Sequence, residues 1–286
     1  MQMKGLRVGA LFLSVMLLFT TFGSGGCRQS EESGRESPGL SGSITVSGSG
    51  TTIPILKALG QDFAAAHPGI EFIFLPSAHT AGGVEGTLNG VLDLGALSRD
   101  LEDSEKHAEL ESLFFCRDAL VFATHREVKV RDLSVEQLLD IYAGRIQDWK
   151  DVGGDPGTMV IINRPDHSSP KVVLDDKLFG PDFPFADRLV IIERAAGANT
   201  AIVETENSLG FTSLGMIIRE KSPVNILTVD GQTPDEPGVQ SGRYPFFRPL
   251  GIVYRSDAPE EIKAFVEYLR GEEAGRIMRD NGYLPG

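Results

Sequence analysis

The stretch Ile44-Thr45-Val46-Ser47-Gly48-Ser49-Gly50-Thr51-Thr52-Ile53-Pro54 constrains the fold more than any other, because it carries a β-rich run into a helix through a loop of small residues and hydroxyls. Ile44, Thr45 and Val46 read as the end of a buried strand, and Ile53, Leu56, Leu59, Gly60 and Phe63 recur at helical spacing on one face. Pro54 stands where a first-turn proline is tolerated. The first N–H groups of a helix have no partner within it and lie at the positive end of its dipole. Glycines let a bound group approach those N–H groups, and Thr51 and Thr52 add hydroxyl donors, so the loop can cradle a phosphate-like oxyanion without a cationic side chain. An ordinary strand-to-helix turn capped by Ser or Thr has the same local sequence. Recurrence decides between the two.

The pattern does recur. Ile70 to Leu75 alternates into a strand, and Pro76-Ser77-Ala78-His79-Thr80-Ala81-Gly82-Gly83 then enters a helix with Val84, Leu88 and Val91 at helical spacing. Asp93 to Leu97 is a short buried strand, and Ser98-Arg99-Asp100 follows it where α/β proteins place ligands, past the carboxyl end of a strand. A third loop, Asn163-Arg164-Pro165-Asp166-His167-Ser168-Ser169-Pro170, follows the β run Thr158 to Ile162 and opens a helix that continues to Phe179. This alternation is that of an α/β fold. Several fixed dipoles with one guanidinium fork suit an enclosed tetrahedral anion, since charge-assisted bonds contribute about 1.5–3 kcal/mol each.

Between these loops, Asp103 to Leu113 reads as a charged surface helix. Phe114 to Thr124 and Pro249 to Tyr254 are long apolar runs suited to strands that leave one domain for another and return. Ser134-Val135-Glu136-Gln137 has the pattern of a capping box opening a helix. Leu189 to Ile192 reads as a strand, Asn199 to Thr205 as a helix, and Leu209 to Thr212 as a strand ending in a turn at Leu214-Gly215. The segment from Asp230 to Arg243 reads as a loop and Ala258 to Asn281 as one amphipathic helix. Tyr244, Phe246 and Phe247 read as core or hinge packing.

A length of 286 residues suits one large or two medium domains. The beginning of the chain stands apart: Lys4 and Arg7 precede a short apolar run from Ala10 to Phe22, and Ser24-Gly25-Gly26 precedes Cys27. Residues 1–26 therefore read as a secretory signal peptide. Small residues before a cysteine resemble the lipobox of bacterial lipoproteins, although Ser24 stands where Leu is usual, and the expectation is a lipid on Cys27. Residues 27–42, rich in Ser, Glu, Gly and Pro, read as the lipidated N-terminus and a flexible tether. With Cys27 lipidated, Cys116 is alone and reads as a buried structural thiol. The net charge of −13 disfavours nucleic acid. An acidic protein that takes an anion must do so by local geometry.

Enzymatic and metal chemistry find little support. Asp166-His167-Ser168 holds the residue types of a hydrolase triad, but neighbours on one loop do not generally form a relay in which His bridges the other two. The five histidines are scattered with no Cys pair among them. No enzyme activity, cofactor or metal site is expected.

The order of these signatures resembles that of the periplasmic phosphate-binding proteins of ABC transporters, from about Ser43 to the C-terminus. It is carried by Ile44 to Pro54, Thr80-Ala81-Gly82-Gly83, Asp93 to Ala96 before Ser98-Arg99, Trp149-Lys150-Asp151-Val152-Gly153-Gly154, Arg164 four residues before Ser168, and Tyr244-Pro245. The resemblance implies the periplasmic-binding-protein type 2 architecture: two α/β domains, a two-strand hinge and a central ligand cleft. The first domain would comprise residues 43–125 with 244–286, the second 126–243. Thr51, the backbone at Thr52, Thr80, Ser98 and Arg99 would bind from the first. Arg164, Ser168 and the backbone at Ser169 would bind from the second, with Asp166 orienting Arg164. The ligand would be inorganic phosphate or a similar oxyanion, and the partner a membrane permease, served by a monomer lipid-anchored in the periplasm or on the outer surface. Two departures bear on specificity. Ser168-Ser169-Pro170 stands where the family has Ser-Gly-Thr, and Ser98-Arg99 stands where well-known members carry an acidic acceptor for the proton of hydrogen phosphate. Sulfate, molybdate or tungstate therefore stay open as ligands, as does a sensing or adhesion role in place of transport.

Overall fold

The computed structural model describes residues 39–286; the expected signal peptide, Cys27 and most of the tether lie outside the described residues. β1 (Ser41–Gly48), α1 (Ile53–Ala66), β2 (Gly69–Phe74), α2 (His79–Leu88), β3 (Leu94–Leu97) and β4 (Leu110–His125) come first. β5 (Asp132–Leu133), α3 (Val135–Tyr142), β6 (Val160–Asn163), α4 (Ser169–Leu174), β7 (Val190–Ile191), α5 (Ala195–Glu204), β8 (Ser208–Ser213), α6 (Leu214–Glu220), β9 (Val224–Ile226), β10 (Thr228–Val229) and α7 (Glu236–Gln240) follow. The chain ends with β11 (Phe247–Arg255), α8 (Glu260–Tyr268), α9 (Glu272–Asp280) and β12 (Leu284–Pro285).

One sheet runs in the order β2-β1-β3-β11-β4-β8-β6-β7. β1 is parallel to β2 and β3, and β6 is parallel to β7 and β8. These two parallel sets meet through the long strands β4 and β11, which pair antiparallel from Leu110↔Arg255 to Ala119↔Phe247. Beyond that point β4 changes partner and pairs with β8 from Leu120 to Thr124. The apolar clusters divide in the same place. Phe115 and Cys116 pack with α1, α8 and α9, whereas Ala119 to Ala123 pack with α3, α5 and Trp149. On β11 the change falls between Phe247 and Leu250. The two cores thus exchange near residues 118 and 248, in mid-strand, where the sequence suggested boundaries at 125 and 244.

Several local expectations are corrected. β1 begins at Ser41, inside the expected tether, because Ser41 and Gly42 already pair with Gly69 and Ile70. The helix expected over 103–113 is a single 3-10 turn at Asp103–Glu105, and β4 starts at Leu110 because pairing with β11 outweighs local helix propensity. The turn expected at Leu214-Gly215 is the start of α6, capped by the Ser213 hydroxyl, which accepts from the Met216 N–H. α7 interrupts the expected loop over 230–243 in the same way, with Asp235 accepting from the Gly238 N–H. The C-terminal helix is divided at Gly271, the N-cap of α9. The helix after the third loop passes into a π turn at Asp175–Phe179. Cys116 is buried with a free thiol, and burial raises its pKa. Tyr244 and Phe246 are buried in the second core as expected.

Candidate functional site

A cleft of about 860 Å³ opens where the two cores adjoin, and the hydroxyl-rich loops meet there. The first loop reaches it along the end of β1. Gly48 has φ +124°, and a Cβ there would lie 2.5 Å from the Ala96 carbonyl oxygen, so only glycine lets β1 turn this close to β3. The Ser49 N–H then donates to Ala96 O at 2.8 Å, and Thr51 comes to line the cleft. Thr52 turns the other way. Its buried hydroxyl donates to the Leu97 carbonyl at 2.6 Å, and its N–H closes a turn onto Ser49 O at 3.1 Å. Thr80, in the first turn of α2, is buried beside the cleft, and its Oγ1 accepts from the Ser98 N–H at 3.3 Å.

Arg99 lines the cleft, but its guanidinium is held from outside. It donates to both carboxylate oxygens of Glu105 at 2.7 and 2.8 Å, and Glu102 stands 3.3 Å away. The hydrogen bond with Glu105 raises the pKa of Arg99 and lowers that of the carboxyl. Its charge is therefore largely matched by carboxylates.

From the second core, Arg164 leaves the end of β6 and is buried with its side chain in the cleft wall. Its Nη2 donates to the Glu193 carbonyl at 2.9 Å, and its Nε has no partner. Asp166 does not orient it: that carboxylate is exposed and lies 3.5 Å from Lys171 Nζ, because the loop turns Asp166 outward over α4. Lys171 is itself buried, bonded to Asp175 at 2.6 Å and seated over the Phe185 ring, so it anchors the base of α4. Ser168 is buried with an unpartnered Oγ, and Ser169 lines the cleft beside it.

Arg248 and Asp118 escape the sequence reading. They are directly opposite residues on β11 and β4, at the point where the cores exchange, and form a buried ion pair there. Asp118 also accepts from the Ser213 hydroxyl at 2.6 Å. Arg248 Nη1 lies 3.4 Å from Thr51 Oγ1 and 3.2 Å from Ser169 Oγ, so it touches a loop from each side of the cleft, while its Nε is unpartnered. Burial lowers the Arg164 pKa first, and the Arg248 charge lowers it further, against the opposing pull of Glu193. A signal was available: a lone arginine inside the run Tyr244 to Tyr254, and Asp118 next to Arg117 inside Phe114 to Thr124, are charges in largely apolar strands, and a buried charge requires a partner.

Buried, unpartnered donors around one cavity call for an acceptor-rich occupant, because an unmade hydrogen bond on a buried group costs about 1–3 kcal/mol. Two guanidiniums and several hydroxyls can enclose a tetrahedral oxyanion.

Known proteins resemble the chain along most of its length. It is 24% identical over 292 residues to the phosphate-binding protein PstS of Bacillus subtilis (strain 168), covering 100% of this chain and 95% of that protein. It is 26% identical over 253 residues to the phosphate-binding protein PstS of Borreliella burgdorferi, covering 84% and 89%. Among solved structures, one from Clostridium perfringens, assigned as a phosphate ABC transporter substrate-binding protein and holding bound phosphate, superposes with a TM-score of 0.71 at 26% identity, covering 86% of this chain and 100% of that one. The model of the PBP superfamily domain matches residues 33–273, and the chain therefore belongs to that superfamily.

Proposed function

We infer that the protein is a solute-binding protein that captures phosphate in the cleft and delivers it to the membrane permease of an ABC transporter. The observation that carries this reading is the convergence of Arg164 and Arg248 on a hydroxyl-lined cavity in which Arg164 Nε, Arg248 Nε and Ser168 Oγ are buried without partners. Relatives named for phosphate binding support the choice of anion. One copy of the chain supplies both walls of the cleft, which supports a monomer as the functional unit. The chain up to about residue 118 together with the segment from about residue 248 forms one domain and the stretch between them the other, and the two close on the ligand about β4 and β11. Among the described residues no helix is long and apolar enough to cross a membrane. Attachment outside the cytoplasmic membrane through a lipid on Cys27 rests on the Ser24-Gly25-Gly26-Cys27 sequence.

Calorimetry tests the reading. Phosphate is expected to bind with micromolar or better affinity, which needs about −8 kcal/mol. Arg164→Ala should abolish binding, because it removes the cleft guanidinium that forms no ion pair with a carboxylate among the described residues. Retained affinity in that variant would overturn the placement of the anion, and a titration in which molybdate or tungstate displaces phosphate at equal concentration would overturn the choice of anion.

A further inference from the structure

We propose that Arg248 determines specificity: it directs a second guanidinium toward the bound anion, turns the Thr51 and Ser169 hydroxyls into donors, and so makes the cleft favour the dianion of phosphate over the monoanion. The inference rests on the phosphate reading of the same cleft and goes beyond it, since it says which ionic form is taken and why.

A hydroxyl can give one hydrogen bond and accept others. Arg248 Nη1 has only protons to offer, so where it meets Thr51 Oγ1 and Ser169 Oγ both oxygens are acceptors. Their own protons are then left for the cavity. The arginine thus fixes the polarity of one hydroxyl on each side of the cleft. Arg164 is a donor by nature, and its Nε, like that of Arg248, is buried without a partner.

Acceptors are correspondingly scarce. One oxygen of Asp118 is taken by Arg248 and the other by the Ser213 hydroxyl. The Glu193 carbonyl is taken by Arg164, and the Glu193 carboxylate, at the cleft wall, is exposed. Glu105 is bound to Arg99. The remaining titratable groups that face the cleft are His79 and His167 on its exposed lips and Tyr283 at its inner end, where the phenol oxygen is bonded to Arg219. A P–OH group placed against Arg164, Arg248, Thr51 and Ser169 meets donors. Monoanionic phosphate carries two such groups and the dianion one, so unmatched protons cost the monoanion more, and sulfate, which carries none, has no such dependence on pH.

Binding of phosphate and of sulfate, measured by calorimetry at about pH 6 and about pH 8, tests this on the unmodified protein. Phosphate loses its second proton near neutrality, so its affinity is expected to rise about tenfold over this span while sulfate affinity stays nearly flat. Sulfate also serves as the control for His79 and His167, whose protonation would act on both anions alike. Arg248→Gln should weaken phosphate binding by about 10- to 100-fold and flatten the pH dependence of the phosphate-to-sulfate ratio, while Arg248→Lys, which keeps the charge, should restore part of the affinity. Should Arg248→Gln alone fail to fold with Asp118 unpaired, the double variant Asp118→Asn with Arg248→Gln removes both charges and serves in its place. No phosphate binding at either pH overturns the phosphate reading itself. Phosphate binding with a flat pH profile, or a glutamine variant with unchanged affinity and profile, overturns the role of Arg248. A structural role alone would lower thermal stability and leave the ratio of the two anions as it was.

Discussion

The hydroxyl of Thr52 is buried against the Leu97 carbonyl, while that of Thr51, one residue earlier, stands in the cleft beside Arg248. Removing the first should cost folding and removing the second should cost binding. Thr52→Val leaves a buried carbonyl without its donor and is expected to lower unfolding free energy by about 1–3 kcal/mol in urea titrations. Thr51→Val should stay within about 0.5 kcal/mol of the parent in stability and lose phosphate affinity. Equal destabilisation by the two would contradict the division. Nothing in the sequence separates these threonines, because which way each points depends on how Gly48 and Ser49 bend the chain over Ala96. Arg164 and Ser168, by contrast, were legible as a pair on one loop after a strand. Arg248 and Asp118 were not, since their pairing joins residues 130 positions apart and only the register of β4 with β11 makes them neighbours.

At the scale of elements, periodicity revealed what lies within one segment. β1, α1 and β2 fall where Ile44 to Leu75 indicates, since each buries its own apolar face. α6 was missed because its signal is a Ser213 cap followed by few periodic residues. The strand start at Leu110 was missed because its partner is at the far end of the chain. The placement of α2 has a cause that periodicity does not express. A Cβ on Gly83 would lie 2.9 Å from Gly48 Cα, and one on Gly95 would lie 2.4 Å from the Gly83 carbonyl oxygen, so this helix rests backbone to backbone on β1 and β3. That close approach sets Thr80 against Ser98 at the cleft. Gly83→Val gains a few tenths of a kcal/mol in helix propensity and forces the helix off the sheet at a cost of about 1–3 kcal/mol. The variant is expected to melt lower and to bind phosphate more weakly, and a melting temperature equal to that of the parent would show that α2 does not depend on this contact.

The whole molecule carries a net charge of −13, yet the floor of its cleft is cationic. Overall field and local site oppose each other, so anion capture depends on short-range geometry that both sides of the cleft must supply. Thr51 and Thr80 belong with α1, α2 and the apolar cluster of Phe63 and Phe265, and Arg164, Ser168 and Ser169 with the cluster around Trp149. The two clusters are joined through β4 and β11, and Arg248 on β11 already bonds to both sides. An anion held between these sets stabilises each against local opening, by about 2.7 kcal/mol when free ligand is about a hundred times the dissociation constant. Native-state hydrogen exchange reads this directly. Saturating phosphate is expected to slow exchange both in the first turns of α1 and α2 and at the Arg164–Ser169 loop and α4, although these segments lie in separate cores. Protection confined to the Arg164 side would mean that the anion rests on one wall, and the first loop, for all its glycines and hydroxyls, would then be only a capped turn.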